Sequence, residues 1–138
     1  MIKNLTILLL ALSLGISVTY KYSYEKGFRD GYAAQISDQH DEAVRYITTN
    51  ITFCESSNRH EETWGDGGAA YGVAQFHKPT FNWMKNLAGH PEYNWKSKDD
   101  QLKLLDWAIR NGYGKHWGTC YKRAVTTFKT EILKGVTF

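Results

Sequence analysis

The chain has 138 residues, with 17 Lys and Arg against 14 Asp and Glu, a formal charge of +3, and 14% aromatic residues. That length holds one folded domain of ordinary size and no more, because domains cluster near about 100 to 150 residues. The small positive excess is scattered rather than gathered into a stripe, and no nucleic-acid-binding module is written here, which argues against DNA or RNA as a partner.

The first 21 residues read as a signal peptide or an N-terminal membrane anchor. Residues 4–20 carry no charge, and the apolar run LTILLLALSL (5–14) follows the basic Lys3, the pattern of an export signal. The uncharged window is at the short end of what spans a bilayer, so an uncleaved anchor is the alternative. Gly15-Ile16-Ser17 supplies small residues near a cleavage position without a full Ala-x-Ala. Lys21, Lys26 and Arg29 follow the run, an arrangement more usual on the cytoplasmic side. Export to the cell envelope, or secretion, is nevertheless the expectation, because the cysteines favour it.

Cys54 and Cys120 frame the aromatic-rich region. In a reducing compartment they would be buried free thiols; in an oxidising one they would form a single bridge. The bridge is the expectation, and closing so long a loop stabilises a small domain by about 4 kcal/mol.

Residues 22–40 (YSYEKGFRDGYAAQISDQH) are polar with two early glycines and read as a spacer that turns helical near Ala33. From Asp41 the pattern changes. Ala43, Val44, Ile47, Ile51 and Cys54 recur at steps of three and four, which lays an apolar stripe on one helix face. Asp41 is placed to cap that helix, and Glu55 falls in its last turn beside the stripe.

Arg59 to Gly72 is a glycine-rich loop in which Asp66-Gly67-Gly68 reads as a tight turn. The apolar Val73 to Phe76 is either a strand edge or the first turn of a helix. Pro79 marks a helix start at Lys78 or Pro79, running toward Trp83. Residues 89–95 connect to the clearest helix, opened by Ser97-Lys98-Asp99-Asp100 as a capping-box-like start and continued by Leu102, Leu105, Ala108 and Ile109. Gly112 and Gly114 end it. A last amphipathic helix is expected over 123–138 from Val125, Phe128, Ile132 and Leu133.

The order CESSN (54–58), then a glycine loop ending in YGVAQF (71–76), then PTFNW (79–83), an acid-Gln pair opening a later helix, and finally Trp117 shortly before Cys120, resembles a known family. It is similar to the catalytic domain of resuscitation-promoting factors and of soluble lytic transglycosylases, lysozyme-like enzymes that cut peptidoglycan. The resemblance covers roughly residues 51–121. It implies an all-α fold with room for a small β element, a lysozyme-like domain over 41–122 stapled by one disulfide, and a helical tail over 123–138.

By the same resemblance Glu55 matches the single catalytic acid, and Gln75 the glutamine of the Gly-x-x-Gln motif. Thr80 matches a threonine that precedes a tryptophan, although here Phe81 comes next and Trp83 two further on. Asp100 and Gln101 match the acid and glutamine that open the later helix. Ser57 stands where the family usually has glycine, and Glu92-Tyr93-Asn94 only echoes its Ala-Tyr-Asn motif. Tyr71, Gln75, Thr80, Trp83 and Tyr93 are therefore expected to line a glycan cleft, with peptidoglycan strands as the partner and no cofactor or metal.

The chemistry asks for few residues. Breaking a glycosidic bond needs a carboxylic acid still protonated near neutral pH, and burial beside apolar rings raises a carboxyl pKa by penalising the charged form. A lysozyme-type hydrolase usually adds a second carboxylate across the bond. Asp66 is the candidate, although an aspartate before two glycines is ordinarily a turn former. A lytic transglycosylase dispenses with it, and that is the leading expectation, ahead of hydrolysis and of a non-catalytic wall-binding protein. Gln75 is either a donor toward substrate or a structural amide. The five histidines, His40, His60, His77, His90 and His116, lack metal-ligand spacing and are expected at the surface.

Overall fold

A computed structural model describes the backbone of residues 2–132 and the side chains of residues 23, 25–31, 33–35 and 37–130. The leader or anchor expected at 1–21 has its side chains outside those described, and so do Ile132 and Leu133 of the expected C-terminal helix. Among the described residues no helix is long and apolar enough to cross a membrane.

The chain divides into two compact units, Met1–His40 and Asp41–Phe138. In the first, the described chain is helical throughout, as part of helix α1, Ile2–Ser56. The spacer expected to turn helical only near Ala33 is therefore helix from its start. Gly27 and Gly31 each weaken a helix by about 1 kcal/mol. Glu25, Lys26, Arg29, Ala33, Ala34 and Gln35 around them are good helix formers, and no proline interrupts.

Asp41 consequently stands at no helix start. It lies inside α1, where the N–H groups of the following turn already have partners. Its carboxylate instead meets the guanidinium of Arg110, which also holds Asp106. The stripe beyond it behaves as its spacing requires: Val44 and Ile51 are buried, Ile47 packs against the core, and Ala43 and Cys54 are half-buried.

After α1 the chain makes a small antiparallel sheet of three two-residue strands, β1 Trp64–Gly65, β2 Ala70–Tyr71 and β3 Phe76–His77, in the order β1-β2-β3. Tyr71 faces Trp64 on one side and Phe76 on the other. Of Val73 to Phe76 only Phe76 is strand, opening β3; Val73, Ala74 and Gln75 form the turn before it, so neither reading holds for the whole stretch. A 3-10 turn over Asp66–Gly68 joins β1 to β2, with Gly67 and Gly68 at φ +63 and +94, where a side chain would be strained.

Helix α2, Lys78–Leu87, has Pro79 in its first turn, where a missing N–H is not needed. Helix α3, Lys98–Arg110, is capped by Ser97, whose Oγ accepts from the Asp100 backbone nitrogen at 3.2 Å. Its buried face is Gln101, Leu104, Leu105 and Ala108. That set is displaced from the one expected: Leu102 is 36% exposed and Ile109 half-buried. A fully bonded glutamine belongs to the inner face here, so apolar character alone misplaced it. Helix α4, Gly118–Thr127, starts before the expected Arg123 and continues as a π-turn, Phe128–Ile132.

The core is one cluster built from Ile51, Val73, Ala74, Phe76, Phe81, Met84, Leu104, Leu105, Ala108 and Trp117. Phe76 is its hub, edge-on to Phe81 at 5.3 Å and to Trp117 at 5.1 Å between ring centres. The fold is thus mainly α with a small sheet. Cys54 is bonded to Cys120, with Cα atoms 5.8 Å apart, and this bridge ties the end of α1 to α4.

Candidate active site

Glu55 stands in the last turn of α1, and both its neighbours are tied down. Cys54 is held by Cys120, and the buried Ser56 places its hydroxyl 2.8 Å from the Val73 carbonyl oxygen and 3.0 Å from that of Thr52. The Thr52 hydroxyl donates to Asn58 Oδ1 at 2.7 Å, closing the turn beyond the helix. The chain leaves α1 through Ser57 and Asn58 at φ +55 and +62. Glycine or asparagine is the usual occupant of such a helix exit, so Ser57 occupies a position that glycine would take with less strain.

Facing this helix end is a cleft of about 250 Å³. Its wall combines Glu55 with Asp66 from the 3-10 turn, Gln75, Thr80 from α2, and the rings of Phe76, His77, His116 and Trp117. The Glu55 carboxyl is half-buried, and burial raises its pKa above the ordinary 4.5 by penalising the charged form. Among the described residues it has no ion pair to hold it ionised.

Gln75 reaches the wall from a tight turn at φ +49. Its amide nitrogen donates to the carbonyl oxygens of Thr63 at 3.2 Å and Gly72 at 2.8 Å. Both amide hydrogens are therefore engaged by backbone, and of its two anticipated roles the structural one is present. The Oε1 atom lies against Gly65, so close that a Cβ on residue 65 would collide with it.

The connection between β2 and β3, on which Gln75 depends, is held by three buried side chains. His60 Nδ1 accepts from the Val73 backbone nitrogen at 3.1 Å, and its Nε2 lies 2.8 Å from the Lys96 carbonyl oxygen. Gln101 Oε1 accepts from the Ala74 nitrogen at 3.2 Å, and its Nε2 donates to the carbonyl oxygens of Tyr71 at 3.0 Å and Trp95 at 2.8 Å. Trp117 Nε1 donates to the Ala74 carbonyl oxygen at 2.7 Å. His60, expected at the surface, is only 8% exposed, because both ring nitrogens find backbone partners inside.

Glu55, Asp66, Gln75 and Thr80 are thus brought together, whereas Tyr71, Trp83 and Tyr93 stand off the wall. Tyr71 is 6% exposed and packs among His60, Trp64 and Trp95. Tyr93 stacks on His90 at 4.6 Å. Trp83 is 47% exposed and touches the wall at second hand, its ring 5.8 Å from that of His116.

Two of the histidines expected at the surface, His77 and His116, are exposed there and also line the cleft. His77 Nε2 lies 3.1 Å from Asp66 Oδ2, spanning from β3 to the 3-10 turn. His116 occupies the wall beside Trp117. No local signal in the sequence marks either histidine for the cleft, since a two-residue strand is too short for alternation to register. Among the described residues no group of three or more His, Cys, Asp or Glu is placed to hold a metal ion.

No protein-family model matches this chain, and no curated protein or solved structure matches it.

Proposed function

We propose that this chain cuts the β-1,4 bond from N-acetylmuramic acid to N-acetylglucosamine in peptidoglycan, acting as a lytic transglycosylase of lysozyme-like type. The observation that carries the reading is Glu55 itself, half out of water in a polar-rimmed cleft, with burial raising its pKa. A carboxyl in that state keeps its proton at a pH where a solvated glutamate has lost it.

In this reading Glu55 gives its proton to the glycosidic oxygen as the bond from that oxygen to the muramic C1 breaks, and positive charge develops on the ring. The 6-hydroxyl of the same sugar then attacks C1, and its proton returns to Glu55. No water is consumed, the product end is a 1,6-anhydro sugar, and the acid is restored. Trp83 and His116 offer an aromatic ledge beside the cleft for a sugar face. The N-terminal segment, as leader or anchor, would deliver the domain to the wall, a destination that suits a disulfide-bonded chain.

A hydrolytic variant of the same cut is the second reading, favoured by one observation: Asp66 lines the same cleft as Glu55. Its carboxylate is 69% exposed and paired with His77, which suits a group that orients water less than a turn residue braced by its neighbour. Purified peptidoglycan incubated with the protein, followed by mass spectrometry of the fragments, separates the two. Anhydro ends, lighter by one water than reducing ends, support the transglycosylase. Reducing ends that disappear in Asp66→Asn support the hydrolase, and glycan that is bound but intact would sink both.

A further inference from the structure

A second groove, of about 360 Å³, runs along the other side of α2. Helix α2 serves both sites. Thr80 faces the cleft, while Lys78, Asn82 and Lys85 line the groove, and His77 of the cleft wall is the chain neighbour of Lys78. The opposite side of the groove is the connection into α3, with Asn94, Trp95 and Lys96.

The groove carries positive charge on a fixed frame. Lys85 Nζ donates to the Tyr93 carbonyl oxygen at 2.8 Å, and the Lys96 ammonium lies 3.6 Å from the Tyr71 ring centre and 3.8 Å from that of Trp64. Trp95 Nε1 donates to the Phe76 carbonyl oxygen at 2.8 Å, which locks the far wall to β3. Lys78 lies 5.9 Å from the Trp95 ring centre and, among the described residues, has no carboxylate partner. Glu92 is the one acid in the lining, and its backbone hydrogen bond and His90, 2.9 Å away, lower its pKa and keep it ionised. Lys78, Lys85 and Lys96 thus outnumber Glu92 in the lining, while the Asp100 carboxylate accepts from the Asn94 backbone nitrogen at 2.9 Å.

We propose that this groove binds the carboxylate-bearing peptide carried by the muramic sugar, so that the enzyme favours glycan that still bears its peptides. The inference rests on the reading of Glu55 given above, because the peptide hangs from the same sugar whose bond is cut and need only cross the wall at His77 and Lys78. The side-chain amides of Asn82 and Asn94 suit peptide bonds, which a bare phosphate polymer does not offer. Asn94 keeps its amide hydrogens for this, since its Oδ1 is what accepts from the Lys96 nitrogen.

Calorimetric titration of the full chain with a soluble wall peptide bearing free carboxylates, and with the same peptide amidated, tests the proposal. The free acid binds more tightly, added salt weakens it, and Lys78→Glu lowers its affinity by about tenfold. Glutamate at the start of α2 is compatible with the helix dipole, and Asn82→Asp gives a second variant with the same expected direction. Equal affinity for acid and amide, or no loss in either variant, would overturn the groove assignment. Cutting of strands stripped of their peptides is scored in parallel. Cutting without charge-dependent peptide binding overturns the groove alone, whereas peptide binding without any cutting overturns the Glu55 reading and supports the groove.

Discussion

Gln101 and Ala74 are joined at 3.2 Å, from a helix to a loop, by a bond between a side-chain oxygen and a backbone nitrogen deep inside the molecule. Gln101 is 0% exposed and also satisfies the carbonyl oxygens of Tyr71 and Trp95. Replacing it with leucine leaves three backbone groups without partners. Each such group costs roughly 1 to 3 kcal/mol when buried, so Gln101→Leu is expected to destabilise by at least about 3 kcal/mol in urea unfolding. A loss below about 1 kcal/mol would show that the amide is not what holds this loop.

Glu55 yields a prediction with a definite sign. Its native pKa lies above 4.5, so between the unfolded and native values the folded state holds the extra proton. Stability then falls as pH rises through that window. Glu55→Gln, neutral throughout, should match the parent in acid and exceed it in stability at neutral pH while losing all cutting. The alkaline limb of the cleavage rate should likewise lie above the ordinary glutamate range. A glutamine variant less stable than the parent at neutral pH would mean that the carboxylate is favoured in the fold.

The bridge from Cys54 to Cys120 spans 66 residues of sequence. Substituting both with alanine removes a constraint worth about 4 kcal/mol in the chain-entropy account. Because Cys54 precedes Glu55 and Cys120 follows Trp117 closely, activity should decline more steeply with temperature in the variant than in the parent. Parallel melting and activity curves, with and without a dithiol reductant, measure both effects.

Ser57 adopts φ +55, a conformation that costs a residue with a side chain about 1 to 2 kcal/mol. Glycine relieves that strain but loses more freedom on folding, by about 0.5 to 1 kcal/mol. Ser57→Gly should therefore stabilise by about 0.5 to 1 kcal/mol, read as a higher melting temperature. Destabilisation would show that the serine side chain holds a contact of its own.

Where local chemistry decides structure, the sequence was a good guide. Ser97 caps α3, Pro79 sits in the first turn of α2, and the stripe from Val44 to Ile51 faces inward. Each depends on neighbours within a turn or two. The sheet was hard to see because strands of two residues are too short for alternation to register. Side-chain destinations set by distant partners were also hidden. Nothing near Tyr71 in the chain announces that Trp95 and Lys96 will cover it, and nothing near Gln75 announces that both amide hydrogens will turn to Thr63 and Gly72. Glu55 was legible as a candidate through the ordered motifs of the resemblance and Asp66 as an acid of the glycine-rich loop, but their meeting in one cleft belongs to the tertiary fold.

The cysteine pair also has a bearing on the order of events during biosynthesis. Cys54 is made 66 positions before Cys120, so a growing chain presents the first as a solitary thiol until the second has emerged. The carboxyl that does the proposed chemistry adjoins that thiol. Final locking of its surroundings is thus a redox step that must wait for Cys120, and a chain collapsed but not yet oxidised is the natural immature form to look for.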